Sequence, residues 1–408
     1  MRLDLTAVLM IGLIAIAAMS TASSLAPAVS QAEFIKLMKT MAFLFLLRIM
    51  LTSRVRLHGY VWLLAFAMGF FGLNGGTLFI VTGGDHQLAG PPQSEISDRN
   101  HLALAMLLAV PLMNYLRLQS KHRWMQIALI GVMVMTVLAV LATYSRGGFV
   151  GLLVMGVFLW WKSRSRLVAM AVLLAFAFGL LQVAPDRWID RMGTIETAKF
   201  EDNSFKLRLL SWHTYAAAAL DRPLTGAGLY ALQTGPVYAR YTPGRDVVDV
   251  ANNRPRAAHS IYFEVLGDLG VIAFLIYIAL LMVGFWNARW IHRRTKNHPE
   301  LEWMGDLAKM IQVSMAVFCI SGAALSMAFY DYFLSLLIVL SAVRQMVPAA
   351  LQTPVERPVR KQLAPPLSDE VDMTAIAGIW QKAASTKITR LKGQPRSNRM
   401  RPGRGGAR

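Results

Sequence analysis

Three residues carry side chains suited to anion recognition and proton transfer: Arg146 in Tyr144-Ser145-Arg146-Gly147-Gly148 and His259 in Ala257-Ala258-His259-Ser260-Ile261-Tyr262, each where an apolar run ends, and Arg208, four residues before Trp212 in the long segment between two runs. A guanidinium is a planar fork of donors that matches the oxygens of a phosphate. A neutral imidazole can take the proton of an attacking hydroxyl near neutral pH. Each residue also has a plainer reading. Arg146 could snorkel to lipid headgroups. Arg208 could stack on Trp212, its neighbour on one helical face, or turn towards the membrane entrance as a second positive charge for the same anion. His259 could simply start a helix.

Further residues join these as candidates for holding substrate. Lys36 and Lys39, three apart on one helical face, either snorkel or hold a phosphate. Arg254 and Arg256 flank His259 with positive charge, and His213 is a competing base ranked lower because a cap helix would turn it to solvent. Glu264 and Asp268, four apart inside an apolar run, are costly unless they line a polar cavity or meet partners, and either could orient His259 or balance an arginine. There is no clustered His/Cys/Asp/Glu spacing and no Asp-x-Asp in the exported segments; the Asp369 to Asp372 group falls in the C-terminal tail. A metal-independent, cofactor-free reaction with arginine supplying the cations is therefore expected. Cys319 has no partner for an intramolecular disulfide and reads as a small packing residue.

The elements that must position these residues are membrane spans. Of the 408 residues, 55% are hydrophobic and 16% charged, against about 25% charged in an average soluble domain. Runs long enough to cross a bilayer fall near 5–26, 34–51, 59–81, 100–116, 125–143, 148–161, 167–184, 260–288, 309–328 and 331–347. Residues Met1 to Ala26 could be a signal peptide, but the length of the run and the prompt start of the next favour a retained helix. Alternating the spans gathers Arg54, Arg56, Arg117, Lys121, Arg123, Lys162, Arg164, Arg166, Arg289, Arg293, Arg294 and Lys296 on one side, together with the basic tail. The positive-inside rule makes that side the cytoplasm, with both termini there. The net charge of +19 therefore reports membrane anchoring, not nucleic acid: the tail beyond residue 347 alone holds twelve Lys/Arg against four Asp/Glu.

The opposite, periplasmic side receives 27–33, 82–99, 144–147 and the long loop 185–258, which has ten Lys/Arg and eight Asp/Glu. Apolar residues at helical spacing from Phe205 to Leu220, followed by a Pro/Gly turn at Arg222 to Gly228, predict a partly helical cap with a helix near 204–220. The expected organisation is a membrane domain over 1–347 and a mostly disordered basic tail over 348–408, with one amphipathic stretch around Val371 to Leu391 and an attraction to anionic membrane lipids.

Four stretches in this order resemble the O-antigen ligase superfamily, and most closely its exosortase A system-associated O-glycosylation ligases. They are Gly75-Gly76 through Thr82-Gly83-Gly84 and Gly90-Pro91-Pro92 to Asp98-Arg99-Asn100; Tyr144-Ser145-Arg146-Gly147-Gly148; Arg208 to Trp212 with Pro223 to Gly228; and Ala258-His259-Ser260 leading to Phe263-Glu264. The resemblance covers residues 20 to 345 or so. It implies an all-α, GT-C-like bundle of about ten spans in a bacterial inner membrane. It further implies an inverting glycosyltransferase that moves a glycan from undecaprenyl diphosphate to an acceptor hydroxyl on a glycan, lipid or protein, without a metal. By motif position Arg146 and Arg208 would hold the diphosphate and His259 would activate the acceptor. Relatives often carry His-Asn at His259-Ser260 and Asn at Arg99, and commonly have additional N-terminal spans.

Two other readings share these features. A polysaccharide polymerase would use the same donor chemistry and differ only in its acceptor. A lipid-linked oligosaccharide transporter would also need a basic cavity, but should show repeat symmetry and helices broken near the midplane, and the sequence has neither.

Overall fold

The computed structural model describes residues 4–163, 203–242 and 255–352, with 165–167, 170, 171 and 174. Most of the predicted span at 167–184, the first part of the long loop, Arg164, Arg254 and residues 353–408 lie outside the described residues. So do the Asp369 to Asp372 group and the stretch from Val371 to Leu391. Among the described residues the chain is all-α, without a strand.

Nine long helices correspond to nine of the ten expected spans: α1 (Leu5–Ala22), α2 (Pro27–Met50), α3 (Arg54–Val81), α4 (Arg99–Gln119), α5 (Arg123–Ala142), α6 (Arg146–Lys162), α9 (Ile261–Thr295), α10 (Glu302–Ser321) and α11 (Asp331–Gln352). Between α6 and α9 lie the cap helices α7 (Asn203–Asp221) and α8 (Gly235–Tyr241). Among the described residues, seven helical segments meet the length and composition needed to cross a membrane, and α2 and α6 join them in the bundle. Helix α2 begins at Pro27, seven residues before the expected start, because proline at the first helical position has no N–H to satisfy.

Polar caps fix several starts: Asp4, Ser53, Asp98 and Ser145 each accept from a backbone N–H of the helix that follows. Helix α4 is buried without interruption from Leu102 to Met113, as suits a helix apolar on every face, and packs on α3, α5, α6 and α10. Helix α1 keeps only Thr6, Ala7, Met10, Leu13, Ala17 and Ser20 inside, leaving Leu5, Val8, Ile11 and Met19 exposed on the outside of the bundle, where lipid would cover them.

Glycines set the closest approaches. A Cβ at Gly76 would lie 2.5 Å from the Met135 carbonyl oxygen and one at Gly72 would strike Thr136, so α3 and α5 meet backbone to backbone. A Cβ at Gly148 would come within 2.8 Å of Ala103 and one at Gly151 within 2.4 Å of Ser321, which lets the start of α6 close on α4 and α10. At the Arg/Lys-rich end, Arg48 pairs with Asp4 at 2.9 Å and donates to Ser341, tying α1, α2 and α11 together.

Helix α9 departs from expectation. The sequence predicts one span over 260–288, but the helix runs to Thr295 and is broken at Gly270, whose φ of 85° and ψ of −179° are open only to glycine. The break is filled from outside. Val271 N donates to the Pro223 carbonyl at 2.8 Å, Ala227 N to Gly267 O at 2.9 Å, and Gly228 N to Asp268 O at 3.0 Å. The Pro223 to Gly228 motif is thus the strap that docks the cap onto α9. It approaches so closely that a Cβ at Gly226 would lie 2.5 Å from the Asp268 backbone.

Candidate functional site

His259 sits just before α9 with a left-handed φ of 46°, a conformation that costs a non-glycine residue free energy and persists only when its surroundings hold it. Its backbone N–H donates to Ser326 Oγ at 2.8 Å, from the turn between α10 and α11. The same turn is braced again by Ala328 N, which donates to Glu264 Oε2 at 3.0 Å, and the last turn of α10 by Tyr262 OH, which donates to the Cys319 carbonyl at 2.8 Å. Cys319 is a free, half-buried thiol.

Partial burial lowers the His259 pKa below the usual 6.5, and the positive charges of Arg208, His101 and Arg256 lower it further, while Asp98 opposes them. Those residues come from four separate places: the cap helix α7, the start of α4, its cap, and the strand of chain that enters α9. Burial raises the Asp98 carboxyl, but hydrogen bonds from Asn100 and the charge of His101 outweigh it and leave the group below its usual range. Asn100 links onward, since its Oδ1 accepts from Ser145 Oγ at 2.7 Å while its own N and Nδ2 donate to Asp98. Arg146 is the next residue and opens α6. One hydrogen-bonded path, Asp98 to Asn100 to Ser145, therefore joins the Asp98-Arg99-Asn100 motif to the Tyr144 to Gly148 motif. Tyr144 closes it on the other side by donating to the Gly84 carbonyl.

Arg146, Arg208, Arg256 and His259 are each half-buried, while His213 is exposed. Trp212 stacks on Phe263 at 5.2 Å and 11°, joining the cap to α9 one helical turn from Arg208 and from His259, and its Nε1 donor is buried without an acceptor. Lys36 and Lys39 are exposed, and Lys36 pairs with Glu33 at 2.6 Å. Glu264 and Asp268 are buried, and the partners they meet are backbone: Ala328 N for Glu264 and Tyr230 N, at 2.9 Å, for Asp268. The two carboxylates thus hold the α10–α11 turn and the cap strap in place, the partner arrangement among those the sequence leaves open. Among the described residues no group of three or more His, Cys, Asp or Glu side chains is placed to hold a metal ion.

Every positive-φ residue among the described ones lies at this end of the bundle: Gln93, Tyr144, Tyr230 and His259, with glycines 83, 84, 226, 228 and 270. Backbone strain gathers where a scaffold holds a site against its own preferences. Tyr144 and His259 fall within the sequence motifs, whereas Tyr230 and Gly270 lie outside them. Sequence reasoning missed Ser326, in the α10–α11 turn, and His101, at the start of α4, which have no signal in the neighbourhood of His259.

Residues 130–278, which hold Arg146, Arg208, Arg254, Arg256, His259, Glu264 and Asp268, match the family model described as O-Antigen ligase. Over that stretch the chain is similar to the O-antigen ligase family. Residues 1–123, with Lys36 and Lys39, match a family of unknown function (DUF5935). No curated protein matches the chain. A chain from a solved structure, reported under "Structural coordination of polymerization and crosslinking by a peptidoglycan synthase complex", is 16% identical over 85% of this chain and 98% of that one, with a TM-score of 0.42. The O-antigen ligase match and the seven candidate spans support a multi-pass membrane protein that transfers glycan, with a lipid-linked glycan and an acceptor as its partners.

Proposed function

We propose that this chain is an O-antigen ligase superfamily member that works in a bacterial inner membrane, with its site facing the periplasm and both termini in the cytoplasm, as a GT-C-like, exosortase-associated O-glycosylation ligase. The donor is a glycan on undecaprenyl diphosphate and the acceptor a hydroxyl. His259, neutral at working pH, takes the hydroxyl proton as the acceptor oxygen attacks the anomeric carbon. The bond from that carbon to the diphosphate breaks on the opposite face, the electron pair leaves with the phosphate, and the configuration inverts. Arg146 and Arg208 stabilise the growing negative charge in a poorly hydrated setting, where fixed cations act more strongly than in water. Arg254, Arg256, Lys36 and Lys39 gather the donor, and no metal is needed. Glu264 and Asp268 position the frame.

The observation that supports this reading best is the convergence of Arg208 and Arg256 on a strained, partly buried His259 within the matched domain. The test is reconstitution in liposomes with a radiolabelled undecaprenyl diphosphate glycan and candidate acceptors. We expect His259→Ala and Arg208→Ala to insert normally but to transfer at least about 100-fold more slowly, leaving lipid-linked glycan to accumulate, with chelator having no effect on the wild type. Normal transfer by both variants would overturn the assigned roles. Products that lengthen by donor repeats without any added acceptor would replace the ligase with a polymerase.

A further inference from the structure

A cavity of about 930 Å³ opens at the Arg/Lys-rich end of the bundle, opposite His259, where α3 and α5 begin and α4 and α6 finish. Five cations line it, Arg54, Arg117, Lys121, Lys162 and Lys309, against three carboxylates, Glu300, Glu302 and Asp306. Asp306 is engaged by Lys309 at 3.2 Å and by Gln119 at 3.5 Å. Lys162 hydrogen-bonds to the neutral amide of Gln312 at 2.6 Å, and the positive charges of Lys309 and Arg289 bear on it. Cations that merely followed the positive-inside rule would spread into water. Here they gather around one concavity with fewer carboxylates than cations, an excess of positive charge that favours an anion.

The rest of the lining says what kind of anion. Met133 stands ten residues into α5, about 15 Å along its axis. Gly156 and Leu159 lie one to two turns inside the end of α6, and Met310 lies beside Lys309 in α10. Trp160 and Trp303 form aromatic walls at the depth where such rings favour the membrane interface, and Arg54 rests over Trp303 at 5.0 Å. The cavity is charged at its end and apolar within, and a soluble phosphate would leave the apolar part unused.

We propose that this cavity seats the phosphate headgroup of an anionic phospholipid, with the first acyl carbons running along Leu159 and Met133. Such a site is independent of the glycan chemistry at the other end of the bundle. Basic pockets between spans at headgroup depth are a recurring means of holding anionic lipid.

The test uses the full-length protein, delipidated in mild detergent and titrated with phosphatidylglycerol, phosphatidylcholine or inorganic phosphate while bound lipid is counted by native mass spectrometry. We expect saturable binding of phosphatidylglycerol that phosphatidylcholine does not match. Each cation removed should weaken it on the order of fivefold, so Lys162→Gln with Lys309→Gln should lose roughly 25-fold while Lys162→Arg binds like wild type. Lys121 is exposed, so Lys121→Gln leaves packing untouched and must still show its own fivefold loss should the double variant misfold. Equal binding of phosphatidylcholine, displacement by inorganic phosphate at matching concentration, or unchanged affinity in these variants would each overturn the proposal.

Discussion

At position 259 a histidine holds a backbone angle that favours glycine, fixed by one hydrogen bond from its own N–H to Ser326. The imidazole lies under the influence of Arg208, so its lowered pKa has a directional consequence. A general base acts when neutral; transfer should rise with pH through the His259 pKa and level off above it. The acid limb should therefore have its midpoint below 6.5. In Arg208→Gln, with one cation gone, the midpoint should move upward, which a pH profile of kcat/KM measures, while the maximal rate at saturating donor falls. A midpoint unmoved by the substitution would remove the electrostatic link. His259 and Arg146 stand out in the sequence as candidates because each is a chemically apt residue at an end of an apolar run, and Arg208 because it shares a cap-helix face with Trp212. Ser326 and His101 do not, because what brings them near His259 is the packing of α10 and α11 on α9 and of α4 on α10. Glu264 and Asp268 were legible as groups needing partners, but the partners are backbone amides, which no side-chain pattern announces.

Among the elements, α9 differs most from its sequence expectation. Hydropathy stays high on both sides of Gly270, so the break leaves no mark in the apolar profile; only the Pro223 to Gly228 strap, read correctly as a turn, explains it. Gly270→Ala would place a Cβ 2.6 Å from the Pro223 carbonyl oxygen and force alanine into a glycine-only conformation, at a cost of about 1–3 kcal/mol for the backbone alone. Thermal unfolding in detergent should show a clearly lowered midpoint. Gly12→Ala, whose Cβ would meet Ile276 at an ordinary 3.6 Å, should change it little. Comparable stability of the two variants would mean that the strap does not hold the break. The predicted cap helix at 204–220 and the observed Asn203–Asp221 agree closely, because its apolar period is local. The pairing of Trp212 with Phe263 is not local and appears only in the fold.

For the molecule as a whole, span positions were legible because bilayer thickness sets a length that hydropathy reports directly. Which side each connection occupies rests on charge asymmetry alone, and it can be measured. In a Cys319→Ala background, single cysteines at Gln93 and Pro236 should react with an impermeant maleimide on intact spheroplasts, and cysteines at His122 and Asn297 only after permeabilisation. The reverse pattern would put His259 on the side away from an exported donor. The orientation also gives the break in α9 a further meaning. From Val271 to Thr295 the helix has 25 residues, about 37 Å of rise, enough by itself to traverse the hydrocarbon layer of about 30 Å. The nine residues from Ile261 to Leu269 add about 13 Å more, so they act as a pedestal that sets the altitude of the imidazole above the acyl chains. One residue gained or lost in that pedestal would turn His259 by about 100° as well as shift its height. The short stretch between the histidine and the glycine is thus a gauge, and its length is as much a part of the chemistry as the side chains it carries.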